Sequence, residues 1–297
     1  MNVFLERYKQ LGQTIVPEKI NIPKAIRINT LKIKPEVLLK RLHRENVNLV
    51  KIQFLDFGYL VEHSEFSVGA APEHLFGYYY IQETAAQIPV QVLRPSKNDI
   101  VLDMSAAPGG KTTQLAQYIG NEGVIVALDA NNLRLLSLRN NIERMGVKNV
   151  IVYQKDAKFV SDIGIMFDKI LLDAPCSGNF CVDENWFQKR TVENLAVVSK
   201  IQRQLLGAAV EVLKEGGELV YSTCSLEPEE NEFVIDWVLQ EYPELKIQKI
   251  DIPIGDEGII EPFGKKLNPD VKYAKRFWPQ KTNTQGFFIA KFKKVVR

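Results

Sequence analysis

Two cysteines stand in short polar turns, each directly after an apolar run. They are Cys176 in Asp173-Ala174-Pro175-Cys176-Ser177-Gly178 and Cys224 in Ser222-Thr223-Cys224-Ser225. The runs before them, residues 169–172 and 218–221, read as strands. In an α/β sheet, chemistry collects just beyond the carboxyl ends of the strands. Two thiols delivered to that edge, with Asp173 beside one of them, point to covalent catalysis on an electrophilic carbon. Most free cysteines are small buried hydrophobes, a description that suits Cys181 better than the two strand-exit residues.

A second group of residues follows the run 100–104. In Ser105-Ala106-Ala107-Pro108-Gly109-Gly110-Lys111-Thr112, small residues and paired glycines let a backbone approach a ligand at a helix start. The tail Gly110-Lys111-Thr112 imitates a phosphate-binding P-loop. That motif needs a glycine where Ser105 stands, and Pro108 removes an N–H, so a P-loop is rejected. Three acids close or follow successive strands: Asp129, Asp156 and Asp173. Asp129 stands where a nucleoside site holds its ribose, and Asp156 where it can reach an adenine amino group. Either alone is an ordinary turn residue or cap; three at successive exits describe a site. The loop lacks the full Gly-x-Gly-x-x-Gly of nicotinamide sites. An adenosyl ligand without a pyrophosphate fits better, and S-adenosylmethionine is the natural candidate. Arg134, early in the next helix, joins the cofactor-binding set.

The elements that must position these residues alternate. Strands are expected at 100–104, 123–129, 150–154, 167–172, 219–222 and 286–292. Helices are expected at 111–118, 133–145 and 191–214, with another opened by Pro228. Glu215-Gly216-Gly217 is read as the stop of the long helix. Strand–helix alternation with short connections implies a parallel sheet covered on both faces. Residues 1–95 read as a smaller α+β region, with a strand at 25–29 and a helix at 35–45. The polar turn Ser96-Lys97-Asn98-Asp99 separates it from a second domain over 96–297.

The chain has 297 residues, a net charge of +2 and three cysteines. Three irregularly spaced cysteines argue against a disulfide framework and fit a reducing cytoplasm. The charged N-terminus does not read as a signal peptide, and no run reaches membrane-spanning length. Neither a membrane nor a metal is expected. Residues 24–51 hold eight Lys or Arg against Glu36 and Glu45, and residues 265–281 hold six against Asp270, with Tyr273, Phe277 and Trp278 interleaved. Basic stretches with aromatics suit a phosphate backbone and unstacked bases, although either stretch alone is more often a solvated face. The two are expected to line one RNA groove.

At this point the chain resembles the Sun/NSUN-type RNA cytosine-5 methyltransferases. The resemblance covers nearly the whole chain. It rests on Pro23-Lys24-Ala25-Ile26-Arg27-Ile28-Asn29-Thr30, on Tyr80-Ile81-Gln82-Glu83-Thr84-Ala85-Ala86-Gln87-Ile88-Pro89 and on the 106–112 loop. Above all it rests on residues 173–178 and on Tyr221-Ser222-Thr223-Cys224-Ser225-Leu226-Glu227-Pro228-Glu229-Glu230-Asn231. It implies a Rossmann-like class I methyltransferase sheet with an N-terminal RNA-binding region. It also implies a methyl donor on the loop, a nucleophile at Cys224 and an assisting thiol at Cys176. Ser105 stands where many relatives have cysteine, and Gln285 where an acid is usual; Gln285 is given no role.

The resemblance implies a chemistry that these residue types suit. Carbon 5 of cytosine is a poor nucleophile until a thiolate adds to carbon 6. The resemblance makes Cys224 that thiolate, and a helix starting at Pro228 together with Lys111 is expected to support it. Addition leaves charge on N3 and the exocyclic amine, and Asp173 can hydrogen-bond or protonate there, provided that burial raises its pKa. As the assisting thiol that the resemblance implies, Cys176 is expected to help the carbon-5 proton to leave. A DNA-type enzyme would attack with the cysteine after Pro175; the second candidate at Cys224 favours RNA. Compact length favours transfer RNA over ribosomal RNA. A non-catalytic RNA-binding assembly factor would have no use for both the cofactor loop and Cys224.

Overall fold

The computed structural model describes residues 2–295. The chain opens with α1 (Val3–Gln10), β1 (Ala25–Ile28), α2 (Pro35–Arg44), β2 (Asn48–Lys51), β3 (Gly58–His63), α3 (Pro72–Leu75) and β4 (Tyr79–Ile81). The four strands form an antiparallel sheet in the order β2-β3-β1-β4. Leu38 and Leu42 lie on one face of α2, one helical turn apart, and pack on Ile26, Ile28 and Tyr79. Next, α4 (Thr84–Leu93) shares a core with the larger sheet, where Ile88 and Leu93 meet Val101, Leu115 and Phe277. Meanwhile α1 sends Phe4 and Tyr8 into a cluster with Trp186, Leu226 and Trp278. Both ends of the N-terminal region are therefore anchored to the sheet that follows.

That sheet holds β5 (Ile100–Asp103), α5 (Gly110–Tyr118), β6 (Val124–Asp129), α6 (Asn132–Met145), β7 (Val150–Gln154) and β8 (Phe167–Asp173). After the short α7 (Trp186–Lys189) come α8 (Val192–Val212), β9 (Leu213–Thr223), α9 (Glu232–Glu241), β10 (Leu245–Gln248), β11 (Asp256–Glu257), β12 (Lys275–Phe277), α10 (Pro279–Thr282) and β13 (Phe287–Lys294). The order is β11-β12-β13-β9-β8-β5-β6-β7, with β10 on β13. Strands β5 to β9 are parallel. From β5 the chain winds outward to β6 and β7, then returns to β8 and β9 on the other side. The crevice beyond the ends of β5 and β8 is thus the topological switch point where such sheets bind ligands. Asn131 caps α6 by accepting from the Leu133 and Arg134 N–H groups, and Gly146 at φ +72° ends it.

The sheet differs from the expected one in three places. It is mixed, because β13 runs antiparallel to β9 and to its other partners β10 and β12. Its strand β9 starts at Leu213, six residues early, with the Gly216-Gly217 pair inside it. Gly216 has φ +76°, and the register against β8 shifts between Phe167 and Lys169. A glycine pair stops a helix, but it equally builds a bulge, and pairing with β8 chose the bulge. Finally, α9 starts at Glu232 instead of Pro228. Asn231 donates to the Ser225 carbonyl and accepts from Thr223 Oγ1, holding 225–231 in a tight non-helical turn. No helix among the described residues is long and apolar enough to cross a membrane.

Candidate active site

Strand ends set the first positions. Asp103 closes β5, Asp129 closes β6, Asp173 closes β8, and Cys224 directly follows β9. The central feature is the approach of the two thiols: Cys176 Sγ lies 2.8 Å from Cys224 Sγ. Both are half-buried and unoxidised. The hydrogen bond to Cys224, then burial, then the charge of Cys224 and of Glu230 raise the Cys176 thiol well above its ordinary range. Lys111, in the first turn of α5, donates to Asp173 Oδ2 at 2.6 Å. The other oxygen of Asp173 accepts from Ser222 Oγ at 2.7 Å. Burial pulls the Lys111 ammonium down, but Asp173, Asp103 and Cys224 together raise it above the ordinary lysine value. Lys111 is therefore a firm cation beside Cys224. The other expected support for a thiolate, a helix start at Pro228, is missing because α9 begins later and its first turn carries Glu232.

These groups open on a cavity of about 550 Å³. Its walls include Ser105, Ala107, Asp129, Arg134, Asp156, Asp173, Cys176 and Cys224. Asp129 also accepts from the N–H groups of Ala107 (3.3 Å) and Asn131 (2.9 Å) and pairs with Arg134 at 3.3 Å. Arg134 donates to the Ala107 carbonyl at 2.5 Å. Ala106, Pro108, Gly109, Gly110 and Lys111 do not line the cavity. The two glycines also answer to packing. A Cβ on Gly109 (φ +108°) would stand 3.0 Å from Leu138, and one on Gly110 would stand 3.3 Å from the Tyr80 ring. They also let α5 sit against α6 and the small sheet. The cavity supplies carboxylates for hydroxyl and amino groups and an apolar wall at Ile201 and Leu205. This donor set fits an adenosyl ligand.

Several residues at the site are ones to which residue type and spacing assigned no role. Asp103 is fully buried and accepts from Thr112 Oγ1 at 2.7 Å. Burial, offset in part by that bond, lifts its carboxyl from 3.8 to about 6. Glu230 and Asn179 bind the two cysteine loops. Both stand in or beside the quoted motifs, so the signal was present without a role attached. Gln285, given no role, presents its N–H to Glu83 Oε1 at 3.1 Å.

Several residues of the two basic stretches are not available to an RNA groove. Arg27 is buried against Gly110 and Thr113, and Lys32 and Lys51 are spent on backbone carbonyls. Arg276 is wholly buried in an ion pair with Glu232. Phe277 and Trp278 are core residues with 0% and 1% exposure, so neither can stack on a base. The exposed cations are Lys24, Lys32, Lys34, Lys40, Arg41 and Arg44 in the first stretch and Lys265, Lys266, Lys272 and Lys281 in the second. A cleft of about 480 Å³ between residues 19–23 and 279–283 lies beside Lys281 and just ahead of Lys24.

Fold and site together define a class I methyltransferase with two thiols at its switch point. The family model for the 16S rRNA methyltransferase RsmB/F matches residues 90–293, and that for the N-terminal domain of 16S rRNA methyltransferase RsmF matches residues 3–84. The chain belongs to this family of RNA cytosine-5 methyltransferases. It is 39% identical over 281 residues to the 25S rRNA (cytosine-C(5))-methyltransferase nop2 of Schizosaccharomyces pombe, covering 92% of this chain but only 46% of that protein. The chain thus spans less than half the length of that relative. With the tRNA (cytosine(49)-C(5))-methyltransferase of Pyrococcus abyssi it shares 39% identity over 274 residues, 91% of this chain and 88% of the other. A methyltransferase homologue from Pyrococcus horikoshii superposes with a TM-score of 0.86 at 41% identity, covering 94% and 88% of the two chains. NSun6 from the same organism, solved with SFG (an S-adenosylmethionine analogue), gives 0.83 at 29%, covering 95% and 93%.

Proposed function

We propose that this protein methylates carbon 5 of a cytosine in RNA, with S-adenosylmethionine as donor and a covalent adduct between Cys224 and carbon 6 of the base. One observation carries the reading: two thiols 2.8 Å apart share a cavity with the acids of an adenosyl site. A transferase acting on a nitrogen or oxygen that is already nucleophilic has no need of them.

S-adenosylmethionine would supply its methyl group from a positively charged sulfonium. Asp129 would hold the ribose and Asp156 the adenine, with Ser105, Ala107 and Arg134 around them. Lys111 lends Cys224 the positive charge that favours thiolate attack. Attack turns the ring into an enamine whose carbon 5 can accept the methyl group. Asp173, fixed by Lys111 and Ser222, would accept from the exocyclic amine of the base, and the Lys111–Asp173 pair would pass a proton to N3 as negative charge develops there. Cys176 holds its proton firmly while Cys224 is free, chiefly because of Cys224 itself. Once Cys224 is bound as a thioether, that hydrogen bond and that charge are gone. Cys176 is then easier to ionise and can assist departure of the carbon-5 proton. Loss of that proton lets Cys224 eliminate.

Residues 1–95 form the RNA-binding region in this reading and residues 96–297 the catalytic domain, acting in the cytoplasm. Transfer RNA is the first substrate to test, because the tRNA enzyme of P. abyssi is matched over 88% of its length. Ribosomal RNA is the second, supported by the family models. Bisulfite sequencing of host RNA with and without the gene tests both. A cytosine protected only when the gene is present identifies the RNA; no gene-dependent cytosine would sink the reading.

A further inference from the structure

Glu230 has no part in the chemistry above, yet its carboxylate joins the two loops that carry the sulfurs. It is fully buried, and none of its hydrogen-bond partners is a cation. One oxygen accepts from the Ser177 N–H at 2.9 Å and from Gln202 Nε2 at 3.0 Å. The other accepts from Ser225 Oγ at 2.9 Å and from Ser177 Oγ. Ser177 follows Cys176, and Ser225 follows Cys224. Gln202, from α8, also donates to the carbonyl of Pro175 at 3.0 Å, so Cys176 is held on both sides. Cys224 is bracketed likewise, because Asn179 donates to its carbonyl at 2.6 Å. A buried carboxylate is costly unless its lone pairs are satisfied, and these four bonds satisfy them only when both loops are in place.

We propose that Glu230 is the positioning residue that sets the spacing of the two thiols, clamping Ser177 and Ser225 so that Cys176 meets Cys224. Its importance for methylation rests on the covalent reading; the clamp itself does not. A glutamine can keep every bond. Its oxygen can accept from Ser177 N–H and Gln202, and its amide can donate to the two serine hydroxyls. An alanine can keep none. The clamp is therefore a matter of geometry, and the charge is dispensable to it.

The test uses the full chain without RNA. Diamide oxidises a pair of close thiols to a disulfide, taking up their two protons and two electrons as it becomes the hydrazine. Mass spectrometry of peptides follows the Cys176–Cys224 link and ignores Cys181. Glu230→Ala is expected to slow linking at least about tenfold, and Glu230→Gln by no more than about threefold, because a disulfide tolerates little misplacement of its carbons. Affinity for S-adenosylmethionine should stay within about twofold of wild type, since no clamp residue lines that part of the cavity. If Glu230→Ala does not fold, the pair Ser177→Ala and Ser225→Ala is expected to slow linking in the same way. Unchanged linking in Glu230→Ala, or in the serine pair, overturns the clamp. Linking in Glu230→Gln as slow as in Glu230→Ala overturns the geometric account. Because RNA is absent, failure of the covalent mechanism would leave these rates untouched. That failure would show separately, as methylation by Cys224→Ala.

Discussion

Lys111 Nζ lies 2.6 Å from Asp173 Oδ2, so the first turn of α5 is tied to the end of β8 across the switch point. The pair is a cation for Cys224 and an anchored acceptor for the base. Lys111→Met should lower the single-turnover methylation rate by about a hundredfold or more, in the range of lost acid–base and electrostatic assistance. Asp173→Ala should act similarly. Rates within a few-fold of wild type in a rapid-quench assay would remove the pair from the chemistry.

The two thiols should part company under mutation. With Cys224→Ala, methylation and adduct are both expected to vanish. With Cys176→Ala, attack and methyl transfer should proceed and the protein–RNA thioether should accumulate, because elimination waits on the carbon-5 proton. Denaturing gels with RNA and donor read this directly. An adduct in Cys224→Ala and none in Cys176→Ala would exchange the two roles.

Asp129 both shapes its loop and faces the cavity, since it accepts from Ala107 and Asn131 and pairs with Arg134. Asp129→Ala should weaken S-adenosylmethionine by roughly 1.5–3 kcal/mol, the worth of hydrogen bonds to a charged acceptor. Calorimetry giving an unchanged Kd would exclude a ribose contact.

Basic residues of the same stretch should fail in different ways. Changing the exposed Lys34, Lys40 and Arg44 to alanine should leave stability alone and flatten the salt dependence of RNA affinity. The slope should shrink by up to about 0.7 for each single-strand phosphate that goes unneutralised. Arg276→Ala should instead destabilise the fold by about 3–5 kcal/mol, because it leaves Glu232 charged and buried. Filter binding over a salt series and urea unfolding separate the two effects.

Asp103 gives a pH signature. Burial raises its carboxyl from 3.8 to about 6, so between those values the folded chain holds a proton that the unfolded chain has lost. Its contribution to stability must therefore fall as pH rises from about 4 to 6. Asp103→Asn, which can keep both Thr112 and Ser105 as partners, should remove that fall. It should gain on the order of 2–3 kcal/mol relative to wild type at pH 7.5 against pH 4, because raising a pKa by one costs the ionised form about 1.4 kcal/mol. Parallel urea curves for the two proteins at both pH values would refute it.

Local residue types carried much of this protein in the sequence itself. Short apolar runs, each followed by an acid or a small polar turn, specify parallel strands and the edge where ligands gather. That pattern located Asp129, Asp173, Cys176 and Cys224 without coordinates. Distances between turns are another matter. Cys176 and Cys224 are 48 residues apart, and only the pairing of β8 with β9, locked by Glu230, brings their sulfurs to 2.8 Å. Burial of charge was equally hidden. Arg276 reads as one more cation in a basic stretch, because its partner Glu232 lies 44 residues away in sequence. Phe277 and Trp278 read as bases' stacking partners until β12 turns them into the core. Glycine is ambiguous for a related reason: its missing Cβ shows that something comes close, and only the packed structure says that Leu138 and Tyr80 do. Sequence determines what each segment can form and which groups it carries. Which groups meet, and which charges leave water, is decided when the sheets and helices close on one another.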